Sequence, residues 1–505
     1  MFKRRLLSAG MVLGLAVAGG VQAQTLRIAL QDDPDTLDPA RARTYVSRIV
    51  FTSLCDKLVD VNEQLEFVPA LAREWSWSED GKVLTFQLRD DVVFHDGTPF
   101  NAAAAKANIE RGMTLEGSQR RSELGSVDTV EAPDDTTLLI HVKQPDATLL
   151  AQLSDRAGMM LSPRSFETEE GSAKAGREPV CSGPYRFVKR VQNDRIELEK
   201  FDGYYDAANF HYEKLVFLPI PDTTVRLQNL RSGGIDILER LNPSDIQEVR
   251  NDDRLVFMPV TGLGFQQLIF NVNNGEGAKD NPFADKRLRQ ALQYTIDREA
   301  INQVVGNGIY EPAQQAFPPA SPYHNPAYPP TTPDIDKAKA LLKEAGVSEV
   351  RANLAFGNNT ITSSVAEMLQ AMAGQAGIHL NLRPTEYAAM LSEERAGNFQ
   401  VDIRGWSGRV DPDGNVHLFM SCKGALNDGH YCNAEVDRLL NEARTVADVD
   451  KRKAIYAKAQ EILQDELPSV YLYFQPWPWA ISKKVEGFTA YPDGMVRLRG
   501  VKPAS

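Results

Sequence analysis

Cysteine, positive charge and long hydrophobic runs are all scarce in this sequence of 505 residues. Four cysteines are too few for a scaffold built on disulfides. The 68 acidic side chains outnumber the 56 basic ones, which argues against nucleic acid as a partner. Only one hydrophobic run approaches the length of a membrane anchor, and it lies near the N-terminus. The chain is longer than one hydrophobic core supports, so we expect two or three domains.

Motifs of catalytic chemistry are also missing from the sequence. It contains neither a Gly-x-x-x-x-Gly-Lys-Ser/Thr phosphate loop nor a His-Glu-x-x-His zinc motif. Residues 405–409 read Gly-Trp-Ser-Gly-Arg, which departs from the Gly-x-Ser-x-Gly hydrolase elbow at its last position. We therefore expect a protein that is not an enzyme and that holds no cofactor or metal.

The N-terminal hydrophobic run has the features of a secretory signal peptide. Three basic residues at 3–5 precede an apolar stretch over 6–21, and small residues Val21 and Ala23 stand at the −3 and −1 positions. The alternative is an uncleaved anchor, but the run is short and no stop-transfer pattern follows. We predict cleavage after Ala23 and a mature protein that resides in the periplasm. Disulfides persist in that compartment.

Patterns of strands and helices alternate along both halves of the chain. Alternating apolar residues predict strands at 26–30, 137–142 and 401–406, among others. Helical periodicity predicts helices over 45–58 and 102–112, with Asn101 as an N-cap, and one long helix over 285–305. This order indicates an α/β fold with mixed sheets. No Gly/Ser-rich linker occurs, so we expect the domains to be interleaved along the chain.

Three potential metal ligands lie close together near residue 430. Cys422, His430 and Cys432 allow two interpretations, a metal site or a disulfide between the two cysteines. The oxidising compartment favours the disulfide.

One stretch of the sequence carries a specific pattern. Residues 69–81 read Pro-Ala-Leu-Ala-Arg-Glu-Trp-Ser-Trp-Ser-Glu-Asp-Gly, and residues 93–102 read Val-Phe-His-Asp-Gly-Thr-Pro-Phe-Asn-Ala. The pattern resembles the signature of solute-binding protein family 5, the periplasmic binding proteins of peptide- and nickel-type ABC importers. Further motifs follow in the family's order, at 36–39 (Thr-Leu-Asp-Pro), 182–185 (Ser-Gly-Pro-Tyr) and 405–407 (Gly-Trp-Ser). The resemblance covers nearly all of the mature chain and includes the dipeptide-, oligopeptide- and glutathione-binding relatives.

The resemblance implies a two-lobe α/β fold of the periplasmic-binding-protein type, cluster C-like, with mixed sheets, three domains and a hinge. Domain I would comprise 24–68, 182–264 and 476–505. Domain II would be the insertion 69–181 on lobe 1, and domain III, 265–475, would form lobe 2. Crossing segments near 262–270 and 474–480 would act as the hinge between the lobes.

The resemblance also implies a function. A monomer would capture a peptide or peptide-like solute, including an anionic one, between its lobes. It would then deliver the solute to an inner-membrane ABC permease that works with a cytoplasmic ATPase. The alternatives are an envelope hydrolase acting on peptides, a binder of nickel, haem or a non-peptide organic anion, and a chemoreceptor-partner or chaperone-like role.

The family's cleft segment follows the Gly-Trp-Ser motif and suggests an unusual ligand. Dipeptide-binding members carry an Asp there for the ligand's ammonium group, whereas this chain has Arg409. Phe356 aligns with those members' Arg for the peptide carboxylate, so both charged groups of a dipeptide site are missing here. We predict that Arg409 binds an anionic group and that Trp406 provides an apolar wall. The alternative is that Arg409 pairs with Asp411 or Asp413.

Residues of lobe 1 complete the predicted ligand set. Arg41, Arg43 and Tyr45 follow the Thr-Leu-Asp-Pro loop, where family members often line the cleft. The full predicted set is Trp406, Ser407, Arg409, Arg41, Arg43, Tyr45 and Phe356.

The resemblance also bears on the cysteines. Related binders carry a disulfide that corresponds to Cys422–Cys432, which leaves Cys55 and Cys181 to pair with each other. The second bridge would tie the exit of the inserted domain II to its entry.

Overall fold

A computed structural model describes residues 24–260, 262–319 and 321–504. The predicted signal peptide and its cleavage site lie outside these ranges. Within them no helix is both long and apolar enough to cross a membrane. The predicted α/β class with mixed sheets is confirmed, because two of the sheets combine parallel and antiparallel strands.

Lobe 1 is built on a seven-stranded sheet. Its central strand Thr25–Leu30 pairs in parallel with two neighbours, and the remaining pairings are antiparallel. In spatial order the strands are Leu255–Val260, Trp477–Ser482, Ile237–Leu238, Thr25–Leu30, Lys214–Pro219, Arg195–Lys200 and Tyr185–Val191.

Lobe 2 contains a six-stranded sheet. Its strand Val350–Gly357 runs parallel to both of its neighbours, and the other pairings are antiparallel. In spatial order the strands are Glu311–Pro312, Ser469–Phe474, Phe265–Phe270, Val401–Trp406, Val350–Gly357 and Ile378–Thr385.

A four-stranded antiparallel sheet forms the inserted region, in the order Ala72–Trp77, Val83–Leu88, Thr137–Val142 and Val127–Glu131. Two short hairpins complete the described strands: Val59–Val61 with Phe67–Pro69, and Val485–Glu486 with Lys502–Pro503. Each large sheet takes its strands from one predicted domain, and each region has its own buried core. The domain boundaries themselves stay a prediction.

The helices cover the sheets and their connections. The α-helices are Tyr45–Leu54, Ala102–Thr114, Leu149–Leu153, Glu169–Lys174, Thr223–Ser232, Ile246–Arg250, Gly275–Lys279, Lys286–Thr295, Arg298–Val304, Ile335–Glu344, Thr360–Gly374, Tyr387–Arg395, Asp413–Met420, Ala434–Arg444 and Val449–Glu466. The 3₁₀ turns are Arg156–Gly158, Pro163–Ser165, Ala207–Asn209, Pro243–Asp245 and Pro282–Ala284. Asn101 caps its helix as predicted, by accepting the N–H of Ala104 at 3.0 Å.

Two helix predictions were wrong in extent. The single helix predicted over 285–305 is two helices, because Ile296 is extended and Asp297 caps the second by accepting the N–H of Ala300. The helix predicted to reach residue 58 ends at Leu54, and Cys55 follows in an extended conformation. The first error arises where the side chain of Asp297 caps a new helix, and the second lies at a disulfide cysteine.

Two chain segments cross between the lobes, one after Val260 and one at 475–476. They meet where the N–H of Gln475 donates to the carbonyl of Gly264 at 3.3 Å. This is the location of the predicted hinge, and its role as a hinge stays a prediction.

Both predicted disulfides are present. Cys55 joins Cys181, 126 residues later in the chain, and Cys422 joins Cys432. The alternative of a metal site at Cys422, His430 and Cys432 is therefore wrong, since both thiols are consumed in the bridge.

His95, inside the inserted region, binds the segment where the chain leaves that region. Its Nδ1 accepts the N–H of Cys181 at 3.3 Å, and its Nε2 lies 2.9 Å from the carbonyl oxygen of Gly183 and donates to it. Burial lowers the pKa of His95 to about 4. The folded protein therefore holds a neutral imidazole that the unfolded chain, with its ordinary pKa, protonates readily.

Acidification should destabilise the protein through His95. The stability that it contributes is present above about pH 6.5 and is lost as the pH falls toward the folded pKa. Between pH 7 and pH 5 the wild type should lose about 2 kcal/mol more than His95→Gln, whose amide can still donate to Gly183. Denaturant unfolding of both proteins at the two pH values measures this difference, since other titrating groups cancel. Equal losses in the two proteins would contradict the assignment.

Candidate functional site

An enclosed polar cavity lies where the two lobes meet. Its volume in this arrangement of the lobes is about 50 Å³, which is room for a few water molecules. Six residues of lobe 1 and eight of lobe 2 line it: Gln31, Asp32, Thr44, Tyr45, Val46 and Arg240, then Gln266, Gly357, Asn359, Thr362, Tyr387, Ile403, Gly405 and Ser407.

The sheet topology explains why these residues meet. Strands Thr25–Leu30 and Ile237–Leu238 are parallel neighbours in lobe 1, and Val350–Gly357 and Val401–Trp406 are parallel neighbours in lobe 2. Residues that follow parallel strands gather at one edge of a sheet, which is where open α/β sheets bind ligands. The cavity therefore joins the carboxyl ends of parallel strands from both lobes.

An aromatic stack supports the lobe 1 wall. The ring of Tyr45 lies parallel to that of Trp477, with centroids 4.8 Å apart, and its hydroxyl donates to the carbonyl of Gly494. The guanidinium carbon of Arg240 lies 4.7 Å from each ring centroid. The stack fixes Tyr45 and holds Arg240 by cation–π attraction.

The lobe 2 wall is polar but uncharged. Asn359 caps the helix Thr360–Gly374 by accepting the N–H of Thr362 at 3.0 Å. Burial raises the pKa of Tyr387 to about 12, so its hydroxyl stays protonated and can donate. Gly405 lets the wall approach closely, since a Cβ there would lie 2.7 Å from Nε2 of Gln266. This wall offers hydrogen bonds without a net charge.

A buried ion-pair bridge connects all three regions beside the cavity. Arg48 of lobe 1 and Arg409 of lobe 2 both contact Asp155 of the insertion, at 3.0 Å and 2.8 Å. The hydroxyl of Ser407 accepts from Arg48 at 2.9 Å and from Arg409 at 3.2 Å. We call this set, Arg48, Asp155, Ser407 and Arg409, the three-domain bridge. It holds the lobes together, and Ser407 places it directly behind the cavity wall.

Asp155 is the one acidic member of the three-domain bridge. Burial on its own would raise the pKa of Asp155, but the guanidinium groups of Arg48, Arg409 and Arg156 outweigh it and hold that pKa well below its usual range. The carboxylate is therefore charged at every physiological pH.

A second ion-pair chain crosses between the lobes. Arg43 of lobe 1 contacts Asp428 of lobe 2 at 2.7 Å, and it donates to the carbonyl of Leu391 at 3.0 Å. Arg404 contacts the same carboxylate at 2.5 Å and Glu394 at 3.0 Å. The Arg43–Asp428 contact and the three-domain bridge are both buried, as expected of lobes in a closed arrangement.

The structure brings two of the seven predicted ligand residues, Tyr45 and Ser407, to the cavity. Trp406 lies between the lining residues Gly405 and Ser407, and Phe356 directly precedes the lining residue Gly357. Because side chains alternate between the two faces of a strand, Trp406 and Phe356 point away from the cavity. Trp406 donates from Nε1 to Asn415 at 2.9 Å and packs edge-on against Phe419. Phe356 is buried in the lobe 2 core.

The three predicted arginines lie outside the cavity lining. Arg409 stacks on Trp406, 4.1 Å from the ring centroid, and contacts Asp155 in the three-domain bridge. Arg41 donates to the carbonyl of Ser172 at 3.0 Å, and Arg43 belongs to the second ion-pair chain. Their ligand-binding role stays a prediction.

The alternative interpretation of Arg409 named the wrong acids. Asp411 is held by Arg452, at 2.6 Å, and Asp413 by Arg444, at 3.1 Å. The partner of Arg409 is instead Asp155, from the inserted region.

Sequence reasoning missed most of the cavity lining, above all Asp32, Arg240, Asn359 and Tyr387. One signal was available: Asp32 comes two residues after the first predicted strand, and polar residues at that place gather at a binding edge. Arg240 carried the same signal, because it comes two residues after the predicted strand end at 235–238, which forms the strand Ile237–Leu238.

Comparison with known proteins agrees with this architecture. The sequence profile of "Bacterial extracellular solute-binding proteins, family 5 Middle" matches residues 66–427, more than half of the chain. The Escherichia coli K12 dipeptide-binding protein is 28% identical, covering 99% of this chain and 98% of the relative. The glutathione-binding protein GsiB of Pectobacterium atrosepticum is also 28% identical, covering 97% and 96%.

Among solved structures, the Helicobacter pylori periplasmic binding protein DppA in complex with the peptide STSA superimposes with a TM-score of 0.88. It is 26% identical, and the match covers 95% of this chain and 98% of that one. Sequence and fold thus agree over nearly the full length: the chain belongs to family 5 of the bacterial extracellular solute-binding proteins.

Proposed function

We propose that this protein is the extracytoplasmic substrate-binding component of an ABC importer and captures a peptide or peptide-like solute between its lobes. It then presents the solute to an inner-membrane permease that works with a cytoplasmic ATPase. The observation that carries this proposal is the polar cavity lined by both lobes. Binding there favours the closed arrangement, because a solute can contact both walls only when the lobes meet.

Two features support a peptide-like solute. The cavity walls provide hydrogen-bonding side chains on both sides, which suits the amide groups of a short peptide. The relatives at 28% and 26% identity are named for a dipeptide and glutathione or were solved with a short peptide.

We further propose that the solute leaves unchanged and that the signal peptide is removed after Ala23. The family consists of binding proteins, and the sequence carries no motif for a nucleophile–base pair. An envelope hydrolase, or a binder of nickel or haem, remains a distinct outcome of the test below.

Protein purified under native conditions should carry a peptide-like solute that mass spectrometry identifies. After denaturation and refolding, adding that solute at about 100 times its Kd should stabilise the protein by about 2.7 kcal/mol. Nickel chloride and haem serve as control ligands in the same melting assay. Recovery of a hydrolysed solute, or stabilisation by nickel or haem alone, would contradict the proposal.

A further inference from the structure

The cavity has only two charged lining residues, and both belong to lobe 1. They are Asp32, just after the strand Thr25–Leu30, and Arg240, just after Ile237–Leu238. The lobe 2 lining contributes amide, hydroxyl and backbone groups but no charged side chain. Charge recognition in this cavity therefore rests with lobe 1.

Arg240 is held in place by the protein before any solute arrives. Its Nε lies 2.8 Å from Oε1 of the fully buried Glu239, and its Nη1 donates to Oε1 of Gln31 at 3.2 Å. The remaining guanidinium donors are available on a side chain that is already ordered. A planar guanidinium held in this way suits a carboxylate.

The backbone at Arg240 is also unusual. Its φ is +54°, a left-handed conformation that side-chain-bearing residues seldom adopt. The buried Arg226 stabilises this turn by donating from Nη2 to the carbonyl of Arg240 at 3.2 Å. Such conformations persist where the surrounding structure enforces them, and they concentrate at binding sites.

Asp32 has the opposite character. It has no cation within 4.0 Å among residues 24–260, 262–319 and 321–504, although Arg240 lines the same cavity. Burial raises the pKa of Asp32 against the opposing effect of Arg240 and Arg226. Gln31 supplies a side-chain hydrogen bond to this carboxylate, and a cationic group from a solute would add a close positive charge.

We propose that Asp32 and Arg240 together recognise a zwitterionic solute, with its ammonium group on Asp32 and its carboxylate on Arg240. Lobe 2 then recognises the uncharged middle of the solute through groups such as Asn359 and Tyr387. This inference rests on the proposed function and deepens it. It replaces the two charged groups that dipeptide-binding relatives place on lobe 2 with a pair on lobe 1.

The test uses three matched probe libraries: unmodified dipeptides, the same dipeptides N-acetylated, and the same dipeptides C-amidated. Isothermal titration of the wild type should give a Kd at least tenfold higher for each capped form of the best binder. Asp32→Asn should remove the penalty for acetylation and keep the penalty for amidation. Arg240→Met should do the reverse. Asp194→Asn and Arg254→Met, at exposed ion pairs, serve as matched controls and should keep both penalties.

The outcomes separate the two proposals. Capped peptides that bind as tightly as unmodified ones, or variants that keep both penalties, would overturn the zwitterion assignment alone. If no library and no co-purified peptide stabilises the wild type, the proposed function fails with it. The capping series on the wild type stands even if a variant does not fold, and melting of each ligand-free variant reports its folding.

Discussion

Asp155→Asn should weaken solute binding at least 30-fold, although Asp155 does not line the cavity. The substitution removes the only acidic group of the three-domain bridge and leaves Arg48 and Arg409 facing each other when the lobes close. Removing one partner of a buried, hydrogen-bonded charge pair costs about 2–5 kcal/mol. When the lobes open, water solvates the separated arginines, so the cost falls mainly on the closed, solute-bound form. A loss of about 2 kcal/mol corresponds to roughly a 30-fold higher Kd.

Asparagine is chosen so that the local backbone survives. The carboxylate of Asp155 accepts the N–H of Arg156 at 2.8 Å at the start of a 3₁₀ turn, and an asparagine oxygen can do the same. The matched control is Asp90→Asn, whose side chain is 72% exposed and pairs with Arg73 on the surface of the same insertion. We expect this control to change the Kd less than about threefold.

Titration calorimetry with the co-purified solute measures both variants. Small-angle scattering should show that Asp155→Asn populates the open arrangement more than the wild type at equal solute concentration. Unchanged affinity in Asp155→Asn would show that the three-domain bridge does not contribute to closure. Arg409→Ala tests the lobe 2 end of the contact, and it should weaken binding because the closed form loses the ion pair between lobe 2 and Asp155.

The overall architecture could be predicted because its strands and helices follow from sequence patterns over a few neighbouring residues. The strand over 401–406 and the helix over 102–112 follow from their own side-chain patterns, and the motif at 69–102 identified the family. Whether a side chain faces the cleft changes from one residue to the next along a strand, and such patterns do not fix the position that precisely. The Gly-Trp-Ser motif was located correctly, yet strand alternation turns Gly405 and Ser407 toward the cavity and Trp406 away from it.

Long-range partners explain the remaining misses. Arg240 reaches the cavity because the strand Ile237–Leu238 pairs with Thr25–Leu30, far earlier in the chain. Arg409 meets Asp155 because an inserted domain folds back onto lobe 2. Which segments become neighbours cannot be read from the sequence near these residues, since it depends on sheet order and on the closed arrangement of the lobes. Asp411 and Asp413 are the acidic residues nearest to Arg409 along the sequence, but they pair with Arg452 and Arg444 instead.

Replacing Cys55 and Cys181 together by alanine should destabilise the protein more than replacing Cys422 and Cys432. The first bridge spans 126 residues and the second spans 10. In the chain-entropy account, closing the longer loop stabilises the folded state by about 5 kcal/mol and closing the shorter one by about 3 kcal/mol. Both cysteines of the long bridge are also buried in the lobe 1 core, so alanine removes packing there as well.

The position of the long bridge predicts where the damage appears. Cys55 directly follows the helix Tyr45–Leu54, and Cys181 ends the inserted region, where the N–H of Gly183 donates to the carbonyl of Leu54 at 2.8 Å. Without the bridge, domain II is held to lobe 1 only by the backbone at its two ends and by noncovalent contacts, among them those of His95. Limited proteolysis should therefore cut within 69–181 first in the Cys55→Ala/Cys181→Ala protein, and at unchanged sites in the Cys422→Ala/Cys432→Ala control. Two reactive thiols in the native wild type would refute this account. A greater loss of stability in the Cys422→Ala/Cys432→Ala control would also refute it, because the bridge that closes the longer loop should constrain the unfolded chain more.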